Sequence, residues 1–301
     1  MVLIFLSTIK KKKNVFNFGD ISPDFKSEWI KTILNSNTKK KKISSWSNLL
    51  LTKKNNNLLV NNYFNKKDKI IDTYPKSGWY KFNKFSHQIM FKLSDVEPKF
   101  YPGHFHYDQG HFIYSYMNNI IFSDTGRYNY HNSKDYFAKD HNTLTINDLG
   151  LIPKNKHLPC EYLISKNKID VINNKEFLEI KISMSGFKRI KKKMIWIRKI
   201  LIYKKKIVIT DSINSCPAGM QIKTYFHLNN NIKFKNNIFH IKSKNISGFF
   251  DSNKLKLKKV KYFAASENYG EKNSMTKLVY NNNLTKEVSN INNCYTLKWK
   301  N

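Results

Sequence analysis

FLEIKISM, residues 177–184, sets Ile180, Ile182 and Met184 against Glu179, Lys181 and Ser183. An apolar–polar alternation of period two is that of a strand with one buried and one wet face. The texture repeats on both sides. Upstream stand GWYKF (78–82), HQIMFKL (87–93), HFIYSYM (111–117), NIIFSD (119–124) and HNTLTIND (141–148). Downstream stand MIWIRKILIY (194–203), KIVITD (206–211), QIKTYFHL (221–228) and CYTLKWK (294–300). These runs are short, β-branched or aromatic, and divided by Asn, Gly, Asp and Pro. No internal repeat of the kind that builds propellers or solenoids is evident. With no helical pattern between the strands, residues 76–301 read as an all-β, antiparallel multi-stranded β-sandwich.

Residues 1–75 read differently. Ser22 and Pro23 supply an N-cap and a proline at the first helical position, and Phe25, Trp29, Ile30, Ile33 and Leu34 follow at helical spacing. That predicts one helix over 23–35. Lysine runs at 10–13 and 39–42 and KKNNN at 53–57 flank it as solvated connections. This short helical leader is too small and polar for a domain of its own. The opening MVLIFLSTIKKKK places its charge after the apolar stretch and has no small-residue cleavage site, so it does not read as a signal peptide.

The chain has 301 residues, of which 40% are apolar, with 17 Tyr and 21 Phe, and this excludes a disordered polymer. Its 54 basic residues, nearly all lysine, against 21 acidic ones give a net charge of +33. An AT-rich coding sequence produces this excess of Lys, Asn and Ile by itself; the resulting field also concentrates polyanions. Cys160, Cys216 and Cys294 are too few and scattered for a disulfide framework or a thiolate metal site. No apolar run reaches the roughly 20 residues of a transmembrane segment.

GHFHYDQGHF (103–112) concentrates the chain's chemistry. His104 and His106 share one face of an extended segment. HFIYSYM then runs into Asn118-Asn119, a pair suited to a two-residue hairpin turn. The returning strand carries Asp124 back towards His106 and His111, and His141 opens the next strand. Histidine nitrogens and an aspartate oxygen converging from neighbouring strands suit zinc, with a fourth position for water. Hydrogen bonding of loops at the sandwich edge would use the same residues, and spacing leaves both readings open.

SGWYKF followed by GHFHYDQGHFIYSYMNNIIFSDTGRYNYHNSKDYFAKDHNTLTIND resembles the C-terminal domain of the heparinase II/III-like polysaccharide lyases. The order is that family's: His-x-His-x-Asp, Asp-x-Gly-x-Tyr, then His-Asn-Thr. IRKILIYKKKIVITD and TYFHLNN are similar to its following strands, and the match covers roughly residues 75–230. The resemblance implies a β-sandwich with a largely structural zinc ion held by His106, Asp124 and His141. His104 would face the substrate, to neutralise a uronate carboxylate or handle a proton. A tyrosine would act as general base or acid, Tyr136 first and Tyr130 second, with Tyr128 also nearby. Asp108 would orient by hydrogen bonding, and His111 would be a supporting or core histidine.

The residue types suit β-elimination of acidic, uronate-containing polysaccharide. Removing the weakly acidic C5 proton requires the carboxylate to be neutralised while charge develops, and a tyrosine of lowered pKa can take the proton. The resemblance further implies an N-terminal α/α toroid that supplies half the cleft, for which this chain has no room. The leader is then a remnant of the inter-domain region, and the toroid is absent, separately encoded as a partner, or lost by truncation of the reading frame. The family implies the periplasm or cell envelope. A non-catalytic polyanion- or carbohydrate-binding β-sandwich is the competing reading; no specific nucleic acid is implied as a partner.

Overall fold

The computed structural model describes residues 70–75, 78–93, 108–126, 137–152, 167–241, 246–252, 255–265 and 273–300. The helix expected over 23–35 lies outside them. The described residues form an antiparallel β-sandwich. One sheet runs β1 (Ile71–Tyr74), β2 (Trp79–Lys84), β3 (His87–Lys92), β4 (Phe112–Tyr116), β5 (Asn119–Phe122), β11 (Gln221–Leu228), β16 (Asn273–Asn283) and β15 (Lys256–Ala265). A short strand, β6 (Leu144–Ile146), joins β11 off this path. The other sheet runs β12 (Ile232–Lys235), β13 (Ile238–Ile241), β14 (Ser247–Ser252), β17 (Val288–Lys300), β10 (Lys206–Cys216), β9 (Trp196–Tyr203), β8 (Leu178–Met184) and β7 (Asn167–Asn173).

The alternation in the sequence becomes alternation in burial. Leu178, Ile180, Ile182 and Met184 of β8 are buried, and the residues between them are only partly covered. Hairpin turns close where two successive residues take positive φ, at Phe85–Ser86, Met117–Asn118 and Asn236–Asn237. Such turns match the right-handed twist of the strands they join. The turn between β4 and β5 therefore falls one residue before the expected Asn118-Asn119. Asn119 is instead the first residue of β5, opposite Tyr116, and its side-chain amide donates to the Met117 carbonyl at 2.9 Å.

Aromatic rings fill the space between the sheets. Phe226 of β11 meets Tyr295 of β17 edge-on at 5.0 Å, and Phe122 of β5 lies 5.9 Å from Phe239 of β13. Such pairs add roughly 0.5–1.5 kcal/mol each beyond the area they bury. Two charged residues share this interior. Arg198 and Asp211 stand opposite each other on β9 and β10, are fully buried, and form a two-pronged ion pair.

Candidate metal centre

The first sheet forks at β11. At one end of that strand Leu228 faces Phe122 of β5, and at the other Ile222, Lys223 and Thr224 pair with Ile146, Thr145 and Leu144 of β6. Between these contacts the chain leaves the sheet: Ser123 N–H donates to the His227 carbonyl and Tyr225 N–H to the Thr143 carbonyl, each at 2.9 Å. Asp124 stands on one lip of the fork and His141 on the other. His111 comes from the segment leading into β4, the neighbour of β5.

All three side chains are buried. His141 Nδ1 lies 2.8 Å from Asp124 Oδ1, and His111 Nε2 lies 3.7 Å from Asp124 Oδ2. The two imidazole rings are 5.4 Å apart. One ligand atom from each residue can be chosen so that all lie within 4.8 Å of one another, a group able to hold a metal ion. Tetrahedral zinc with bonds of about 2.0–2.1 Å sets its ligand atoms about 3.3 Å apart. The Asp124–His141 separation needs only a small opening to meet that spacing.

Asn142, next to His141, organises the surroundings. Its side-chain amide donates to the Phe112 and Ser123 carbonyls at 2.8 and 2.9 Å, and its Oδ1 accepts the His227 N–H at 2.6 Å. Its backbone N–H donates to His111 Nδ1 at 2.9 Å. That last bond fixes a tautomer. With Nδ1 accepting, neutral His111 carries its proton on Nε2, the nitrogen that faces Asp124. Nε2 would have to shed that proton to bind a cation, so His111 is better suited to supporting Asp124 than to ligation. His141 Nδ1 also turns a proton towards Asp124, but as a neutral ring it can carry that proton on Nε2 and leave Nδ1 for a cation, and the Asp124 carboxylate needs no such change.

Electrostatics separates the histidines further. Burial pulls the His141 imidazolium down, but the Asp124 carboxylate overrides it and holds its pKa up at about 9. His111 is drawn down to about 4 by burial, against the opposing pull of Asp124. His227 is held well below its usual range by burial and by Lys277, its partner across β11 and β16. Burial pushes the Tyr225 phenol up to about 12, so this tyrosine is no base near neutral pH.

The structure thus brings together Asp124 and His141, read from the resemblance as ligands, and His111, read as a supporting or core histidine. His104, His106, Tyr128, Tyr130 and Tyr136 lie outside the described residues. Asp108 is buried, its carbonyl accepts the His111 N–H at 2.8 Å, and its negative charge raises the pKa of both His111 and His141. The organising role of Asn142 escaped the sequence reading. Its only signal was its place in HNT, because a hydrogen-bonding hub has no periodicity of its own.

The model of the family described as heparinase II/III-like, C-terminal, matches residues 66–293. No curated protein sequence matches the chain. Among solved structures, heparan sulfate lyase HepC from Pedobacter heparinus superposes with a TM-score of 0.65 at 13% identity, over 96% of this chain and 44% of that one. A heparinase III superposes with a TM-score of 0.65 at 16% identity, over 95% of this chain and 43% of that one. The chain spans less than half the length of either lyase, and at these identities the likeness is one of fold. The matched span takes in both lips of the fork and both sheets of the sandwich, and on that ground the chain belongs to the heparinase II/III-like C-terminal domain family.

Proposed function

We propose that this chain is the β-sandwich part of a polysaccharide lyase that cleaves acidic, uronate-containing polysaccharide by β-elimination, with an α/α toroid completing its cleft. The observation that carries the reading is the buried Asp124–His141 pair at the fork, in a chain of this family. In the proposed site His106, Asp124 and His141 would hold zinc, which would supply a fixed positive charge there. His111 supports Asp124 from behind. His104 neutralises the uronate carboxylate or handles a proton, and Tyr136, or failing it Tyr130, exchanges the proton at the reacting sugar. Residues 1–75 are the remnant of an inter-domain region.

Metal analysis and product absorbance test this. The purified chain is expected to carry one zinc per molecule, to melt lower after chelation, and to lose zinc in Asp124→Asn and His141→Gln. Absence of stoichiometric zinc, with melting indifferent to chelator, sinks the metal assignment. Ultraviolet absorbance from the unsaturated uronate is expected only when a toroid partner is added, and is lost in His104→Ala. The net charge of +33 favours a second reading, a non-catalytic polyanion-binding sandwich. It requires salt-sensitive binding of acidic glycans that survives His104→Ala and Tyr136→Ala, with no absorbance in any combination.

A further inference from the structure

Arg198 comes from the sheet that does not carry the site, yet it reaches the site's backbone. Its Nε and Nη2 donate to Asp211 Oδ1 and Oδ2 at 2.7 and 2.8 Å. Its Nη1 donates to the Gly110 carbonyl at 2.8 Å and to the Asn142 carbonyl at 2.7 Å. Gly110 immediately precedes His111, and Asn142 immediately follows His141. One nitrogen thus ties together the two segments that present the histidines, and anchors both to the opposite sheet. The guanidinium is held from its faces too, 4.8 Å from the Trp196 ring and 5.2 Å from that of Phe112. Trp196 Nε1 donates to Asp211 Oδ1 at 2.9 Å, which holds the carboxylate in place.

Stability alone is a weak reason for such a group. A buried ion pair can often be replaced by packed apolar side chains at no loss. A planar, pre-oriented fork that grips a carboxylate on one edge and two carbonyls on the other is suited to fixing geometry. We propose that Arg198 is a positioning residue for the histidine–aspartate group: through Gly110 and Asn142 its Nη1 sets the spacing of His111 and His141 across the fork, and Asp211 holds the guanidinium for that task. The inference uses the zinc reading above for one readout and stands without it for the other.

The experiment compares Arg198→Lys with Ile202→Ala. Lysine keeps the charge but cannot serve Asp211 and two carbonyls at once. Ile202 is buried on the same strand and makes none of these hydrogen bonds. Both variants are expected to melt lower than the parent. Zinc affinity, measured by competition with a chromogenic chelator, is expected to fall about 10- to 100-fold in Arg198→Lys, as for loss of an outer-shell partner, and to stay unchanged in Ile202→Ala. The second readout needs no metal: ring nitrogen shifts of His111 in chelated protein are expected to report the Nε2–H tautomer in the parent and a mixture in Arg198→Lys. Should Arg198→Lys fail to fold, Asp211→Asn, which keeps the side-chain shape, is read the same way. Unchanged affinity and tautomer in a folded Arg198→Lys, or equal losses in Ile202→Ala, overturn the proposal. A parent that binds no zinc defeats the metal reading and leaves the tautomer to decide this one.

Discussion

Gly110 shows how little freedom the site's framework has. Its φ is +74°, and a Cβ there would stand 2.5 Å from Cη2 of Trp196 and 2.7 Å from Cζ3. A side chain pays twice at this position, about 1–2 kcal/mol for the left-handed backbone and about 1–3 kcal/mol for overpacking. Gly110→Ala is therefore expected to lose about 3 kcal/mol of stability in denaturant titration, and a loss near zero would mean that Trp196 is free to withdraw. Trp196 has little room to do so, being fully buried and tied to Asp211. The alternation of β9 places these residues together. Trp196, Arg198, Ile200 and Ile202 share the inward face, and Asp211 falls on the inward face of β10 between Ile209 and Ile213. A charge of each sign on two adjacent apolar stripes was a readable sign of a buried pair. That Arg198 also grips residues 110 and 142 was not readable, because no local pattern encodes a contact between sheets.

At the scale of elements, β8, β9 and most of β10 alternate in burial, whereas β4 and β6 are buried throughout and were legible from their β-branched and aromatic runs. Turns were less so, because they obey backbone angles more than composition. The β2–β3 turn uses Phe85 at φ 50° and Ser86 at φ 65°, neither a residue that favours the left-handed region. Ser86 is exposed, and its carbonyl accepts the Met117 N–H at 2.9 Å. Ser86→Gly is expected to raise stability by about 0.5–1 kcal/mol, read as a higher melting temperature with no change in spectrum, because glycine relieves strain that outweighs its added unfolded-chain entropy. A lower melting temperature would show that the Ser86 side chain contributes more than its strain costs. The fork at β11 was hidden for a different reason: β5 and β6 each read as an ordinary strand, and their sharing of one neighbour exists only in the assembled sheet.

Across the whole molecule, a chain of hydrogen bonds stitches the two sheets together away from the fork. Trp299 Nε1 donates to the Tyr114 hydroxyl at 2.8 Å, that hydroxyl lies 2.9 Å from His87 Nδ1, and His87 Nε2 lies 3.4 Å from the Lys204 carbonyl. Trp can only donate and a carbonyl can only accept, so the chain is consistent with neutral His87 protonated on Nε2. Burial accordingly draws the His87 pKa down to about 4. A base whose pKa is depressed on folding stabilises the fold above its unfolded value of about 6.5 and loses that stabilisation as pH falls towards 4. The melting temperature is thus expected to drop between pH 6.5 and 4, and less steeply in His87→Gln, which cannot titrate; identical slopes would exclude His87 as the cause. His141 has the opposite sign, since its raised pKa of about 9 gives stability that is complete below about pH 6.5 and lost towards pH 9.

The position of β17 bears on how the chain reaches this state. Its thirteen residues lie between β10 and β14, and they complete the middle of the second sheet from the far end of the described sequence. Cys216 must wait for Val288, and Lys206 for Lys298. Until residues 288–300 dock, β10 and β14 each present an open row of amides and carbonyls, the kind of edge that recruits a second chain. Such distant pairings also slow the search, to milliseconds or seconds in all-β domains. The strand that closes the sheet is thus expected to bear on both the pace of folding and the interval in which the molecule is most prone to aggregate.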